Sequence, residues 1–275
     1  MLDKITRKIF RNEMTISGEH VKKKQVNLEW WNKRKNLGDV LSEVVYEWML
    51  QNEGINPNDK VRKTTHLFGI GSVIGMGNFD AVIWGSGVHT FKTIKDIMSQ
   101  NRYRKYDIRA VRGPVTESIL KTCGYECPQV YGDPAILMKE IYMPCNIKKN
   151  IDISAILHID HTNLQRIEGV HYIDMNTSDY KSVINEIVAS KKIISSSLHG
   201  IILAETYGVP AIFLADGMKN ELLKFYDWYY STQRMNVYVA ETLEEAIQMQ
   251  PMPLPQLDMM RRNLKETFPY DLWEK

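Results

Sequence analysis

Four times in the first half of the chain, a short apolar run stops at a glycine-containing tip. Thr65 to Phe68 lead into Gly69-Ile70-Gly71-Ser72, and Ala81 to Trp84 into Gly85-Ser86-Gly87. Ile108 to Val111 lead into Arg112-Gly113, and Val130-Tyr131 into Gly132-Asp133-Pro134. Between such runs lie stretches with helical spacing. Strands that alternate with helices are joined by crossovers, and crossovers build a parallel sheet covered by its own helices. The pattern therefore predicts an α/β fold whose tips gather at the carboxyl ends of the strands, where such sheets bind ligands.

The remaining chain extends the pattern. Gln25 to Leu28 read as a first strand, followed by Asn36-Leu37-Gly38-Asp39. Asp39 is a natural N-cap for a helix in which Val40, Leu41, Val44, Val45 and Trp48 recur at helical spacing. Pro114 suits a first helical turn, and Gly124 closes that helix after Cys123. Tyr142 to Asn150 hold Pro144 and a polar, basic run, and read as a linker. Beyond it, Ile153 to His158, Tyr172 to Met175, Lys192 to Ser195 and Pro210 to Leu214 read as strands. Asp179 to Ala189, Leu198 to Tyr207, Thr242 to Met249 and Leu257 to Phe268 read as helices. Two α/β domains facing across a cleft are expected, residues 1–145 and 150–275, each long enough to bury a core.

Composition excludes several classes. With 44% hydrophobic and 25% charged residues, the chain is neither disordered nor fibrous. A net charge of +2 is too small to attract nucleic acid by bulk electrostatics. The basic clusters Lys22-Lys23-Lys24, Lys33-Arg34-Lys35 and Arg102-Tyr103-Arg104-Lys105 read as solvated faces, or as attraction to an anionic substrate or membrane surface. Three cysteines, Cys123, Cys127 and Cys145, make no disulfide framework and suit free thiols in a reducing compartment. His158 and His161 would point to opposite faces of a strand, so no metal is expected there. The first ten residues are charged and unlike a signal peptide, and no run approaches a membrane span. A cytoplasmic protein is expected, docking at most to the inner membrane surface.

The strongest chemical pattern is Ser195-Ser196-Ser197-Leu198-His199-Gly200, where a strand ends in hydroxyls and an apolar helix begins. The first N–H groups of a helix lack partners and bind anions, and His199 stands among them. Arg112 at a strand end, beside Gly113, suits bidentate binding of a carboxylate or phosphate, or pairing with an acid. Asn36 to Asp39 could bond a sugar or phosphate, or form an N-cap turn. Gly85, Ser86 and Gly87 permit close backbone approach to a ligand, or a tight turn. Asp133 could be a base for a sugar hydroxyl or a turn former. The aromatic run Phe225 to Tyr230 could stack on sugars, though packing in a core is the commoner use.

Taken in order, these landmarks resemble the polysaccharide pyruvyl transferase family. They are Asn36 to Asp39, Gly85 to Gly87, Arg112-Gly113-Pro114, Tyr131-Gly132-Asp133-Pro134-Ala135, and Ser195 to Gly200 followed by Ala204-Glu205-Thr206-Tyr207-Gly208-Val209-Pro210-Ala211. The likeness runs from about residue 27 to 215 and is closest to shorter members of bacterial exopolysaccharide and capsule synthesis. It implies a GT-B-like fold with two Rossmann-like halves. It implies phosphoenolpyruvate as co-substrate, no cofactor, and a sugar acceptor, often on a lipid-linked oligosaccharide. The product would be a pyruvate ketal across two hydroxyls. By resemblance, His199 is the general acid and Arg112 binds the donor's carboxylate or phosphate. Asp133 or Asp39 would take the sugar's proton, and backbone N–H groups near Ser196, Ser197, Leu198 and Gly200 would hold the phosphate. Many members carry an arginine where this chain has Ser197, and Lys191, Lys192 or Lys219 are the candidates to compensate. A nucleotide-sugar glycosyltransferase and a non-catalytic sugar-binding subunit are the competing readings. Oligomeric state stays open.

Overall fold

The computed structural model describes residues 14–76, 79–100, 104–158, 166–215 and 221–274. The first sheet is parallel throughout. It contains β1 (Val26–Glu29), β2 (Thr65–Phe68), β3 (Ala81–Trp84) and β4 (Tyr106–Ala110), in that spatial order. Between β1 and β2 runs α1 (Leu37–Asn52), and between β3 and β4 runs α2 (Phe91–Gln100). After β4 come α3 (Pro114–Thr122), a 3-10 turn (Pro134–Leu137) and α4 (Met138–Ile141). Alternate residues of each strand face opposite ways, and each face has its own apolar layer. Leu67, Val82 and Trp84 join Leu41 and Val45 of α1. Phe68, Ile83, Ile108 and Val111 join Ile97 of α2 and Leu120 of α3.

A second parallel sheet is built from β5 (Ile151–Ile156), β6 (His171–Tyr172), β7 (Ser190–Ser195), β8 (Ala211–Leu214) and β9 (Val239–Ala240), in the order β6-β5-β7-β8-β9. Its helices are α5 (Tyr180–Ala189), α6 (Leu198–Thr206), α7 (Leu222–Ser231) and α8 (Leu243–Gln248). All nine residues of α6 are buried. A helix apolar on every side needs cover on every side. It lies on β7 and β8 and packs against the 3-10 turn that follows β4. The chain ends with α9 (Asp258–Glu266) and a 3-10 turn (Tyr270–Trp273).

The strand expected at Val130-Tyr131 is a single parallel bridge between Val111 and Tyr131, because Gly132 turns the chain away at φ +149° and Pro134 brings no N–H. The strand expected at Tyr172 to Met175 is only His171–Tyr172, since the Met175 carbonyl leaves the sheet to accept from Leu37 N at 2.8 Å. The aromatic run near Trp228 belongs to α7. Phe225, Trp228 and Tyr229 are buried, and Phe225 stacks on Phe213 at 4.0 Å between centroids, so these rings pack the core and are not open to a sugar. Arg104, expected on a solvated basic face, is buried with its guanidinium over the Tyr106 ring. His161, Lys219, Arg102 and Tyr103 lie outside the described residues.

The last helix does not stay with the second sheet. Trp84 Nε1 donates to Leu264 O at 2.8 Å, and Phe268 packs edge-on to Trp84 at 4.8 Å. Arg109 bonds both carboxylate oxygens of Asp271, and Tyr270 donates to Met49 O. Residues 258–273 thus complete the cover of the first sheet.

Candidate active site

Two helix N-termini meet at the carboxyl ends of the two sheets. At the start of α1, Asn36 is the cap. Its backbone is extended and its Oδ1 accepts from Gly38 N at 3.2 Å. Asp39, expected as the cap, is instead inside the first turn, where its carboxyl is largely buried. Gly38 has no side chain for a steric reason, because a Cβ there would overlap the His199 ring. Leu37 N reaches the Met175 carbonyl of the other half, so α1 is pinned at the meeting point.

At the start of α6, Ser197 occupies the cap position but its side chain makes no capping bond. Its two predecessors are structural. Ser195 Oγ accepts from Ser197 N at 3.0 Å and lies 3.0 Å from Ile156 O. Ser196 Oγ accepts from His158 N at 2.8 Å, and Ser196 N donates to Ile156 O. Gly200 allows α6 to lie on β5, because a Cβ there would overlap Ser195 Oγ and Ile156. Leu198 points into the core. What α6 brings to the start of α1 is therefore His199 and a first turn without a side-chain cap.

His199 faces Asp133 across 3.7 Å, Nε2 to Oδ2. That distance is too long for a hydrogen bond. Both atoms are buried, and neither has a partner among the described residues. Asp133 is held by its other oxygen, which accepts from Ala135 N at 3.0 Å and caps the 3-10 turn. Buried polar atoms are nearly always bonded, so two facing orphans mark a place for a ligand or a transferring proton. Asp39 completes the group. Burial pushes its carboxyl up to about 6, against the pull of His199, Lys224 and Asn36, while Asp133 pushes it further up.

Arg112 stands one layer behind. It is fully buried, with Nε on Asp227 at 3.1 Å, Nη1 on Ser72 Oγ at 2.7 Å and Nη2 on Val88 O at 2.9 Å. Asp227 also takes Thr116 N and Oγ1, which docks α7 on the start of α3. The turn after β3 spaces these parts. A Cβ on Gly87 would overlap the Arg112 guanidinium, and one on Gly85 would overlap Pro134. Ser86 Oγ and Gly87 N both bond Gly71 O, which sets the backbone beside Asp39. The structure thus gathers Asn36, Gly38, Asp39, Asp133 and His199 at one point, with Arg112 and Gly85 to Gly87 supporting it.

Sequence reasoning missed the residues that α7 supplies. Lys224 is 9% exposed and pairs with Glu221 at 2.5 Å. His89, after β3, and His158, after β5, lie 3.5 and 3.9 Å from the same Glu221 oxygen. His89 first, and Lys224 with it, hold the Glu221 carboxyl far below its usual range. Burial lowers the Lys224 ammonium. The signal was a polar stripe, Glu221, Lys224 and Asp227 at three-residue spacing through an aromatic run, which a helix puts on one side. Lys191 and Lys192, named as compensating cations, sit at the opposite end of β7. There they bond Asp152 at 2.7 Å and Ile247 O at 2.7 Å.

The architecture is a parallel α/β protein with an acid-base group set between two helix N-termini. Residues 77–217 match the model of the polysaccharide pyruvyl transferases, a span that includes Arg112, Asp133 and His199. The chain belongs to that family. It is 27% identical over 221 residues to an uncharacterised protein of Acanthamoeba polyphaga mimivirus, covering 75% of this chain and 74% of that one. It is 26% identical over 210 residues to the succinoglycan biosynthesis protein ExoV of Rhizobium meliloti (strain 1021), covering 72% of this chain and 62% of that protein. A solved structure of a functionally uncharacterised protein of Klebsiella pneumoniae superposes with a TM-score of 0.52 at 14% identity, over 88% of this chain and 97% of the other. At that identity the likeness is one of fold.

Proposed function

We propose that the protein transfers the pyruvyl group of phosphoenolpyruvate onto two hydroxyls of one sugar residue, forming a ketal during exopolysaccharide or capsule synthesis. The observation that carries the reading is His199 Nε2, without a partner among the described residues, facing Asp133 Oδ2 at 3.7 Å at the start of α6, where the cap side chain makes no bond. In this reading residues 1–145, joined by residues 258–273, and residues 150–257 act as two Rossmann-like halves in a GT-B-like pair. The donor lies between them, its phosphate on the first N–H groups of α6. Arg112 adds positive charge from behind the bare Gly87 backbone and holds α7 in place.

His199 gives a proton to the enol methylene, and the central carbon becomes electrophilic. The first sugar hydroxyl attacks that carbon and passes its proton to Asp39, whose carboxyl, raised to about 6, is matched to accepting it near neutral pH. The second hydroxyl then displaces phosphate. Its proton returns to His199, and the one on Asp39 leaves with the phosphate. Asp133 orients the imidazole throughout. The acceptor is a sugar on a lipid-linked oligosaccharide at the cytoplasmic membrane face. Among the described residues no helix is long and apolar enough to cross a membrane.

The test is a thermal melt with phosphoenolpyruvate and with a panel of nucleotide sugars, followed by phosphate release with candidate acceptors. Phosphoenolpyruvate is expected to raise the midpoint. His199→Ala is expected to cut phosphate release by roughly 10²–10⁴-fold. A midpoint that moves only with a nucleotide sugar would overturn the reading in favour of glycosyl transfer.

A further inference from the structure

A trianionic donor needs a mobile cation close to where its phosphate departs. Arg112 is an unsuitable candidate for that task, since each nitrogen of its guanidinium already holds a partner and the side chain has no exposure. We infer that Lys224 is the donor's phosphate ligand in this chain, and that Glu221 is a built-in stand-in which occupies the ammonium until the donor arrives. The inference rests on the pyruvyl-transfer reading for the identity of the donor, but not for the anion site itself.

Three observations carry it. Lys224 sits in the first turn of α7, and its face of that helix is fixed, because Asp227, three residues on, grips Arg112 and Thr116. Its partner oxygen on Glu221 is the one His158 approaches at 3.9 Å, and the His158 backbone is bonded to Ser196, so the pair stands beside the start of α6. Among the described residues, the acid within bonding distance of Lys224 is Glu221, which two other groups also approach.

The arrangement around Glu221 makes an exchange feasible. An ammonium held under cover by a single carboxylate resists removal of that partner, because an unpaired buried charge is costly. Glu221, however, keeps His89 from the first half and His158 from the second at 3.5 and 3.9 Å. When a phosphate takes Lys224, Glu221 keeps two ring nitrogens within reach as alternative partners. The backbone of His158 is tied to Ser196, directly before the uncapped α6 terminus, so the three parts adjoin. Ser197 brings no charge to that terminus, and among the described residues Lys224 is a cation that Glu221 and His158 link to it.

The two members of the pair therefore have opposite expected effects. Lys224→Met should raise the KM for phosphoenolpyruvate, and the Kd for inorganic phosphate, by about tenfold or more. Lys224→Arg should keep both within a few-fold. Glu221→Gln, which removes the competitor and keeps the shape, should lower both. Melts of each variant check that the fold is retained, and binding of inorganic phosphate needs no turnover. A folded Lys224→Met with unchanged phosphate Kd and donor KM would overturn the inference, as would a Glu221→Gln that weakens binding alongside Lys224→Met. If the wild type binds phosphate through Lys224 yet releases none from phosphoenolpyruvate, the pyruvyl-transfer reading fails and the anion site stands.

Discussion

At the scale of single residues, the most consequential group is Asp39, an acid that the fold holds where ionisation is disfavoured. Its carboxyl rises from an ordinary 3.8 to about 6, chiefly by burial. Between those values the folded chain binds a proton that the unfolded chain has lost. Stability from this group is thus complete below about pH 4 and is surrendered as pH climbs through 6, a loss on the order of 3 kcal/mol. Asp39→Asn should be more stable than the wild type at pH 8 by up to that amount, with the advantage fading by pH 4, in urea unfolding at several pH values. A difference independent of pH would refute it. The same variant should lose activity. The residues of this group were legible because each sits in a local pattern, a cap turn at Asn36 to Asp39, a strand end at Asp133 and a hydroxyl run before His199. Lys224 was not, because its meaning depends on Glu221, His89 and His158, which come together only in three dimensions.

At the scale of elements, α7 is fastened by one buried ion pair to a strand end 115 residues away in sequence. Arg112→Met would leave Asp227 with only Thr116 in a dry setting, at a cost of about 3–5 kcal/mol. Arg112→Met with Asp227→Leu should recover part of it. Unfolding by denaturant measures both. An Arg112 that served only to touch donor would instead leave stability unchanged and weaken binding alone. Strands β1 to β5, β7 and β8, and helix α6, could be read directly, since parallel strands are apolar runs with abrupt glycine ends, whereas the two-residue β9 could not. Helices α2 and α7 could not. Glu221 makes no side-chain cap, and the aromatic residues that follow it carry no strong helix preference. A hydrophobic stripe reports that a helix is buried, and says nothing of which sheet buries it.

At the scale of the molecule, that last point decides where α9 goes. Composition places a break at residues 142–150, and by chain order everything beyond belongs to the second half. Yet Leu264, fully buried, and Phe268 close over Trp84 of β3. Leu264→Ala should cost about 2–5 kcal/mol. It should change tryptophan fluorescence through Trp84 while leaving phosphate affinity close to that of the wild type. A silent substitution would show that α9 merely rests on the surface. The bond from Trp84 to Leu264 also sets a clock on birth. It spans 180 residues, so a nascent chain growing at about 5–20 residues per second leaves β3 uncovered for roughly ten to forty seconds. For that interval a sheet face built for burial is on offer to chaperones or to its neighbours. The yield of this protein in a cell thus depends on who meets that face first.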